Sequence, residues 1–214
     1  MPIFVGRLIA AITLIVSSPL IAALAVAVKL SSPGPAFHTP RRVGPSGEFT
    51  LHKLRTMRVG TAATGSGVTI AGDTRVTPLG RVLRRSKLDE LPQLWDVVRG
   101  EMALVGPRPE DPRYVDRRDP IQRTVFAALP GITGPTALAF HNEESILAAA
   151  ALEFAGAEGR ELSTDADVER AYRTIVLPAK MELDAAYLMT RSTRGDLAIL
   201  ARTIGQVLGR TTRR

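Results

Sequence analysis

Apolar positions follow several distinct rhythms along this chain. From Arg7 to Lys29 the segment RLIAAITLIVSSPLIAALAVAVK is almost unbroken hydrocarbon, about as long as the roughly 20 apolar residues that carry a helix across a bilayer. Ser17, Ser18 and Pro19 interrupt it near the middle. Proline there removes the amide that would serve the carbonyl four residues back, and its ring presses on that turn, so a sharp kink is predicted. The two serine hydroxyls can bond back to freed carbonyls, which makes a break tolerable in lipid. Arg7 precedes the run, and Lys29, Arg41 and Arg42 follow it. Positive charge keeps to the cytoplasmic face, so this flanking favours a hairpin that dips in and returns to the same side, with a kinked span left open beside it. A cleaved signal peptide is disfavoured by the long apolar core and the weak basic start.

Beyond SSPGP, which stops the helix, the rhythm shortens. AFHTPRRVGPSGEFTLHKLRTM reads as two short strands around a Gly44-Pro45-Ser46-Gly47 turn. VGTAATGSGVTIAGD (Val59 to Asp73) has no period and reads as a surface loop, without the context of a phosphate loop or dinucleotide fingerprint. From Thr77 the helical period returns, with Leu79, Val82 and Leu83 set among Arg81, Arg84 and Arg85. Such a helix can lie on anionic lipid or simply turn a solvated basic face outward. Ser86 is a candidate N-cap for the next helix, whose stripe is Leu91, Leu94, Val97 and Val98 and whose stop is Gly100. His141 through Ser145 read as a helix start carrying acids, and Thr164 as the cap of a later helix. A last helix carries Leu197, Leu200, Ile204, Val207 and Leu208.

Composition narrows the partners. Among 214 residues, 45% are hydrophobic but only 5% aromatic, a balance that suits helices and lipid contact. There is no cysteine, and His38, His52 and His141 are scattered, so disulfides and thiolate metal sites are excluded and a zinc site is disfavoured. The formal net charge of +7 attracts nucleic acid, lipid head groups or phosphorylated substrates alike. A nucleic-acid binder should show a recognition helix or an aromatic stacking platform, and neither is present.

The densest chemistry lies in RRSKLDELPQLWDVVRGEMALVGPRPE (Arg84 to Glu110). Helical neighbours point about 100° apart, so Asp89 and Glu90 should have separate jobs. The plainer alternative is a pair of acids that steadies a helix start by about 0.3–1 kcal/mol and pairs with Arg84 or Arg85. Pro107 and Pro109 clamp Arg108 into an extended arm, and a pre-organised guanidinium matches phosphate with two parallel hydrogen bonds. Acids beside such an arginine suit phosphoryl transfer, with an oxygen nucleophile or metal ligand next to positive charge.

The segments SSPGPAF, RRVGPSGEFTLHKLRTM, TPLGRVLRRSKLDELPQLWDVVRGEMALVGPRPE, LPGITGP and LPAKMELDAAYLMTRSTRGDLAILARTI together resemble the bacterial sugar transferases, the small monotopic phosphoglycosyl transferases. The resemblance covers nearly the whole chain in order. It implies transfer of a sugar 1-phosphate from a nucleoside diphosphate sugar, usually a UDP-sugar, to undecaprenyl phosphate with release of UMP, at the start of glycan assembly. By the same resemblance Asp89 is the nucleophile that forms a covalent phosphosugar intermediate, and Glu90 is its partner and a fellow ligand of Mg²⁺. Arg84 and Arg108 bind substrate phosphate, their charge and the metal's lowering the pKa of Asp89, and Ser18-Pro19 is the membrane break.

The fold implied is mixed α/β and mainly helical. Residues 1–30 form a re-entrant helix-break-helix in the bacterial inner membrane. Residues 31–214 form a domain on its cytoplasmic face, with a short β-hairpin and amphipathic interfacial helices around the active site. After Gly134 the sequence PTALAFHNEESILAAAALEF departs from many members, so substrate residues there are not assigned. A membrane-anchored scaffold without catalysis is the alternative, a homodimer through the helical part stays open, and the sugar is not legible.

Overall fold

The computed structural model describes residues 1–60, 68–161 and 163–212; residues 61–67 of the loop expected from Val59 to Asp73 therefore lie outside the described residues. The helices are α1 (Ile3–Ser31), α2 (Pro78–Ser86), α3 (Gln93–Arg99), α4 (Pro120–Phe126), α5 (Pro135–Ala139), α6 (Glu143–Ala157), α7 (Asp165–Ala171), α8 (Leu177–Thr190) and α9 (Thr193–Thr212). A π-helical turn, Tyr172–Val176, joins α7 to α8. The strands form three two-stranded sheets. β1 (Phe37–His38) pairs antiparallel with β4 (Lys53–Leu54), β2 (Arg41–Gly44) antiparallel with β3 (Gly47–Thr50), and β5 (Ala103–Val105) parallel with β6 (Gly131–Thr133). The expected hairpin is β2–β3, closed by the Gly44 and Gly47 pair.

The apolar N-terminal run departs from expectation in one respect. It is a single helix with Pro19 inside it, not two helices around a break. The compensation is local. Pro19 cannot bond to the Ile15 carbonyl, and the Ser18 hydroxyl donates to that carbonyl at 2.8 Å, while Ser17 donates to Thr13 at 2.7 Å. With its orphaned acceptor filled, the helix carries through. Ser18→Ala is expected to lower thermal stability in detergent by about 1 kcal/mol, whereas Ser18→Thr, which keeps the hydroxyl, should stay near the parent protein.

α1 has two apolar faces with different neighbours. Gly6, Ala10, Ile21 and Val28 are buried, at separations of whole helical turns that place them on one side. Phe4, Leu8, Ile12, Ile15, Val16 and Leu30 are exposed on the remainder. This is the one helix among the described residues long and apolar enough to cross a membrane. Its inner face runs along α3 and also meets α2, β4 and β5. Ala10 joins a core with Leu94, Val97, Met102 and Tyr187, and Val28 joins a second with Leu54 and Leu83. Both ends are tied to the same body. The Met1 amino group pairs with buried Asp196, and the Arg55 guanidinium takes the carbonyls of Val28, Ser32 and Pro33.

The largest core lies elsewhere, where Val125, Leu147, Ala151, Val168, Tyr172 and Met181 gather the helices that follow β5. In two amphipathic helices the inward apolar residues pack on the protein itself. Leu79 and Leu83 of α2 lie against Val28 and Leu54, so the leucines fill the protein interior; only Val82 of that trio is exposed. In α9, Leu200 packs inward while Leu197 and Ile204 face outward, and the Leu208 side chain lies outside the described residues. Thr164 caps α7 as expected, in a capping box with Asp167.

Candidate active site

α2 places the acidic pair. Thr77 caps its start by accepting from the Gly80 amide, and the helix ends when Lys87 takes up left-handed backbone with φ of 57°. Lys87 is the one non-glycine residue with positive φ among the described residues, a conformation that costs energy and commonly marks functional turns. Ser86 is therefore not an N-cap. It is the last residue of α2, its hydroxyl bonded back to Val82 and Leu83. Asp89 and Glu90 lie not in the first turn of a helix but in the 3-10 turn Leu88–Glu90 that the left-handed residue launches.

The two acids do have separate surroundings. Asp89 is 5% exposed, and its Oδ1 has no hydrogen-bond partner. Burial first, and then repulsion from Glu90, raise its carboxyl above the ordinary range against the pull of Lys53, Lys87 and Arg84. The expected lowering by cations is thus present but outweighed. Glu90 accepts from Arg108 Nη2 at 2.8 Å and lies 3.8 Å from Lys87 Nζ. Burial alone would raise its pKa, but Arg108 and Lys87 together hold it at about 2. Glu90 alone of the two pairs directly, with Arg108 and Lys87, and the described ion pairs of Arg84 run to Glu144 instead.

Arg108 is aimed by a close backbone approach. β5 and β6 run so near each other that a Cβ on Gly131 would overlap the Gly106 backbone, and one on Gly134 would meet the Gly106 carbonyl. The glycines of VGPRP and LPGITGP thus let two loops interlock, with Gly131 donating to the Pro107 carbonyl at 2.8 Å. The Arg108 amide is held by Asp184 at 3.1 Å. Next along the chain, buried Glu110 accepts from the Tyr172 hydroxyl at 2.6 Å and lies 3.3 Å from Lys180 Nζ, which also reaches Glu143 at 3.2 Å.

Arg84 acts on the field of Asp89 from a separate anchorage. Its Nε donates to Thr56 Oγ1 at 2.9 Å, and its Nη1 pairs with Glu144. Glu143 and Glu144 open α6, so the helix start read in the sequence also reaches Lys180 and Arg84. The membrane pair, Ser18 and Pro19, lies on α1 and not among these charges. Sequence reasoning missed Lys53, Asp184, Glu110 and Lys180. Lys53 is partly buried, and desolvation lowers its pKa to about 8 even against the attraction of Asp89. The alternation in HKL, which faces Leu54 to the core, was the available signal for it.

A divalent cation fits this site in one way. Among the described residues no cluster of three or more His, Asp or Glu forms a cage, but the orphaned Asp89 oxygen beside Glu90 offers the one or two carboxylates with which Mg²⁺ is usually held alongside substrate phosphate.

Comparison with known proteins gives the family. Residues 3–210 match the family described as Bacterial sugar transferase. The chain is 44% identical over 121 residues to the UDP-glucose:undecaprenyl-phosphate glucose-1-phosphate transferase of Caulobacter vibrioides, covering 55% of this chain and 45% of that protein. It is 40% identical over 131 residues to the UDP-N-acetylgalactosamine-undecaprenyl-phosphate N-acetylgalactosaminephosphotransferase of Aeromonas hydrophila, covering 59% and 31%. It is 36% identical over 154 residues to the exopolysaccharide production protein ExoY of Sinorhizobium fredii, covering 64% and 68%. The chain thus spans less than half the length of the first two of these relatives. The match over almost its whole length, with the acidic pair and the interlocked Gly-Pro loops inside it, makes the chain a member of the bacterial sugar transferase family.

Proposed function

We propose that this chain transfers a sugar 1-phosphate from a UDP-sugar to undecaprenyl phosphate at the cytoplasmic face of the bacterial inner membrane, through a covalent intermediate on Asp89. The observation that carries the reading is the Asp89 carboxylate, buried with an unpartnered oxygen and facing the charges of Lys53, Lys87 and Arg84. A carboxylate held at such a disadvantage gains by reacting. The names of the relatives from Caulobacter and Aeromonas supply the substrate classes.

In the first step an Asp89 oxygen attacks the phosphorus that bears the sugar. The bond to the bridging oxygen breaks, its electron pair leaves with UMP, and the sugar phosphate remains as an acyl phosphate on Asp89. In the second, a phosphate oxygen of the lipid attacks the same phosphorus and the Asp89 carboxylate departs, leaving a lipid diphosphate sugar. Splitting the transfer lets one watery and one greasy substrate use the site in turn. Mg²⁺ held by Asp89 and Glu90 would neutralise diphosphate charge that otherwise repels the attacking carboxylate. Arg108, fixed through its amide by Asp184 and through its guanidinium by Glu90, orients a phosphate, and Arg84 adds charge from the opposite anchorage.

The membrane part of the reading is a re-entrant α1, one continuous helix bent at Pro19 so that both its ends return to the same face, with residues 31–214 on that side and α2 and α9 near the interface. Its support is that both ends of α1 bind the same domain, Met1 at Asp196 and Val28 to Pro33 at Arg55. A helix crossing to the far side would have to give up one of those ends. Cysteines placed at positions 2 and 35 should label from the same face of oriented membranes.

Protein purified in nanodiscs is expected to release UMP from at least one UDP-sugar when undecaprenyl phosphate and Mg²⁺ are present, and to stop when EDTA is added. With sugar-labelled donor alone, label should stay on the protein. UMP release without labelled protein would replace the covalent route by direct transfer, and no release from a full panel of nucleotide sugars would leave the scaffold reading in its place.

A further inference from the structure

An apolar groove opens between α1 and α3, apart from the charged site. Leu14 and Ile21 of α1 form one wall, and Phe37 of β1, His52, Pro92 and Trp95 complete it. Its volume is about 320 Å³, the lower end of the range for small-molecule sites. Its two α1 residues bracket the Ser17-Ser18-Pro19 step. Trp95 is 46% exposed and Phe37 42%, two large aromatic side chains left uncovered beside the packed face of α1.

Two connections tie this groove to the charged site. Pro92 follows Glu90 by two residues, so the turn carrying the acids also builds the groove wall. Phe37 belongs to β1, whose neighbouring residue His38 pairs with Lys53 of β4, the lysine that acts on Asp89. Cationic groups therefore stand on one side of these shared elements and bare hydrocarbon on the other. His52 adds no free charge to the wall through Nδ1, which is held by buried Asp96 at 2.6 Å.

We propose that the groove seats the head-proximal isoprene units of the polyprenyl phosphate acceptor, with its phosphate delivered to the Lys53 and Asp89 side and the rest of its chain left in the bilayer. The inference rests on the acceptor class assigned under the proposed function. An occupant with one apolar chain ending in a phosphate matches an apolar groove whose walls continue into the charged site, Pro92 two residues from Glu90 and Phe37 on the strand pair that carries Lys53. A diacyl phospholipid carries two chains and offers no reason for a single slot. Trp95 and Ile21 are then acceptor-binding residues that exclude shorter or more polar lipid phosphates through lost apolar contact.

Trp95 is the chain's one tryptophan, so its emission reports on the groove without any turnover. In phosphatidylcholine nanodiscs, titration with undecaprenyl phosphate should shift that emission to the blue and saturate, in the parent protein and in Asp89→Asn alike. Phosphatidylglycerol at the same concentration should leave it unmoved. An equal shift with phosphatidylglycerol would assign the groove to ordinary acyl chains, and no shift with either lipid would empty it of a role; both overturn the proposal. Ile21→Phe, which narrows the slot, should raise KM for undecaprenyl phosphate about tenfold while KM for the nucleotide sugar holds. An unaltered acceptor KM in folded Ile21→Phe would also count against it. Absence of UMP release from the parent protein would defeat the assigned reaction, yet leave the fluorescence titration to judge the groove.

Discussion

Asp89→Asn is expected to abolish sugar phosphate transfer while leaving the protein as stable as before or more so. The amide is nearly isosteric with the carboxylate but has no charged oxygen to form the acyl phosphate, so turnover should fall on the order of 10⁴-fold or more. Stability moves the other way because of where the charge sits. Asp89 is buried, one of its oxygens is unpartnered, and its pKa is raised. A carboxyl whose folded pKa lies above its unfolded value loses stability as pH climbs through that interval, so at neutral pH its ionised form burdens the fold. Removing the charge lifts that burden. Glu90→Gln should show the opposite pattern, because the pKa of Glu90 is held at about 2 by Arg108 and Lys87. Loss of its charged hydrogen bond should cost about 2 kcal/mol. Parallel thermal unfolding and UMP release for the two variants separate them. An Asp89→Asn protein that keeps turnover contradicts the nucleophile assignment, and one that unfolds as readily as Glu90→Gln contradicts the reading of Asp89 as a buried charge that burdens the fold.

What could be read from the sequence was mostly local chemistry. The Gly44 to Gly47 hairpin, the Gly100 stop, the Thr164 cap and the back-bonding of Ser17 and Ser18 all depend on residues within four positions of each other. The continuity of α1 is not legible because the same serines that make a break tolerable also let helical hydrogen bonding carry past Pro19. Its packing face was hidden for a different reason. A helix with protein on one side and apolar surface on the other is hydrophobic all round, so Ala10 and Val28 could not be told from Ile12 and Ile15 by period. Small residues at Gly6 and Ala10 are the trace such close packing leaves. Ser86 was misread because Lys87 turns left-handed, a conformation its residue type does not announce. At the site, Asp89, Glu90 and Arg108 were legible as one run of sequence, and the structure brings them together. The supports were not, since Glu110 meets Lys180 from 70 positions away and Arg108 meets Asp184 from 76. No periodicity connects residues that far apart.

Lys180→Met is the substitution expected to cost the most stability. Lys180 is 3% exposed, and its ammonium lies within 3.3 Å of Glu110 and 3.2 Å of Glu143 and 2.9 Å from the Tyr172 hydroxyl. Methionine fills the space of the stem but leaves the buried Glu110 carboxylate without its cation, a loss of about 3–5 kcal/mol. Acid distinguishes this cause from a packing defect. In the parent protein burial alone would raise the Glu110 carboxyl, but Lys180 and then Tyr172 outweigh it and hold it below the ordinary range. Its contribution is therefore present above the unfolded value and drains away as pH falls through the folded one. In Lys180→Met the uncompensated burial takes over and raises that carboxyl, so the sign reverses and acidification relieves the variant by protonating Glu110. The stability gap between parent and variant should narrow steadily from neutral pH toward pH of about 4. Adding Glu110→Gln to Lys180→Met should recover most of the loss at neutral pH. A gap that ignores pH, or a double variant no more stable than the single one, would mean that Lys180 supports the fold through its stem and not through the charge that neutralises Glu110, two residues from Arg108.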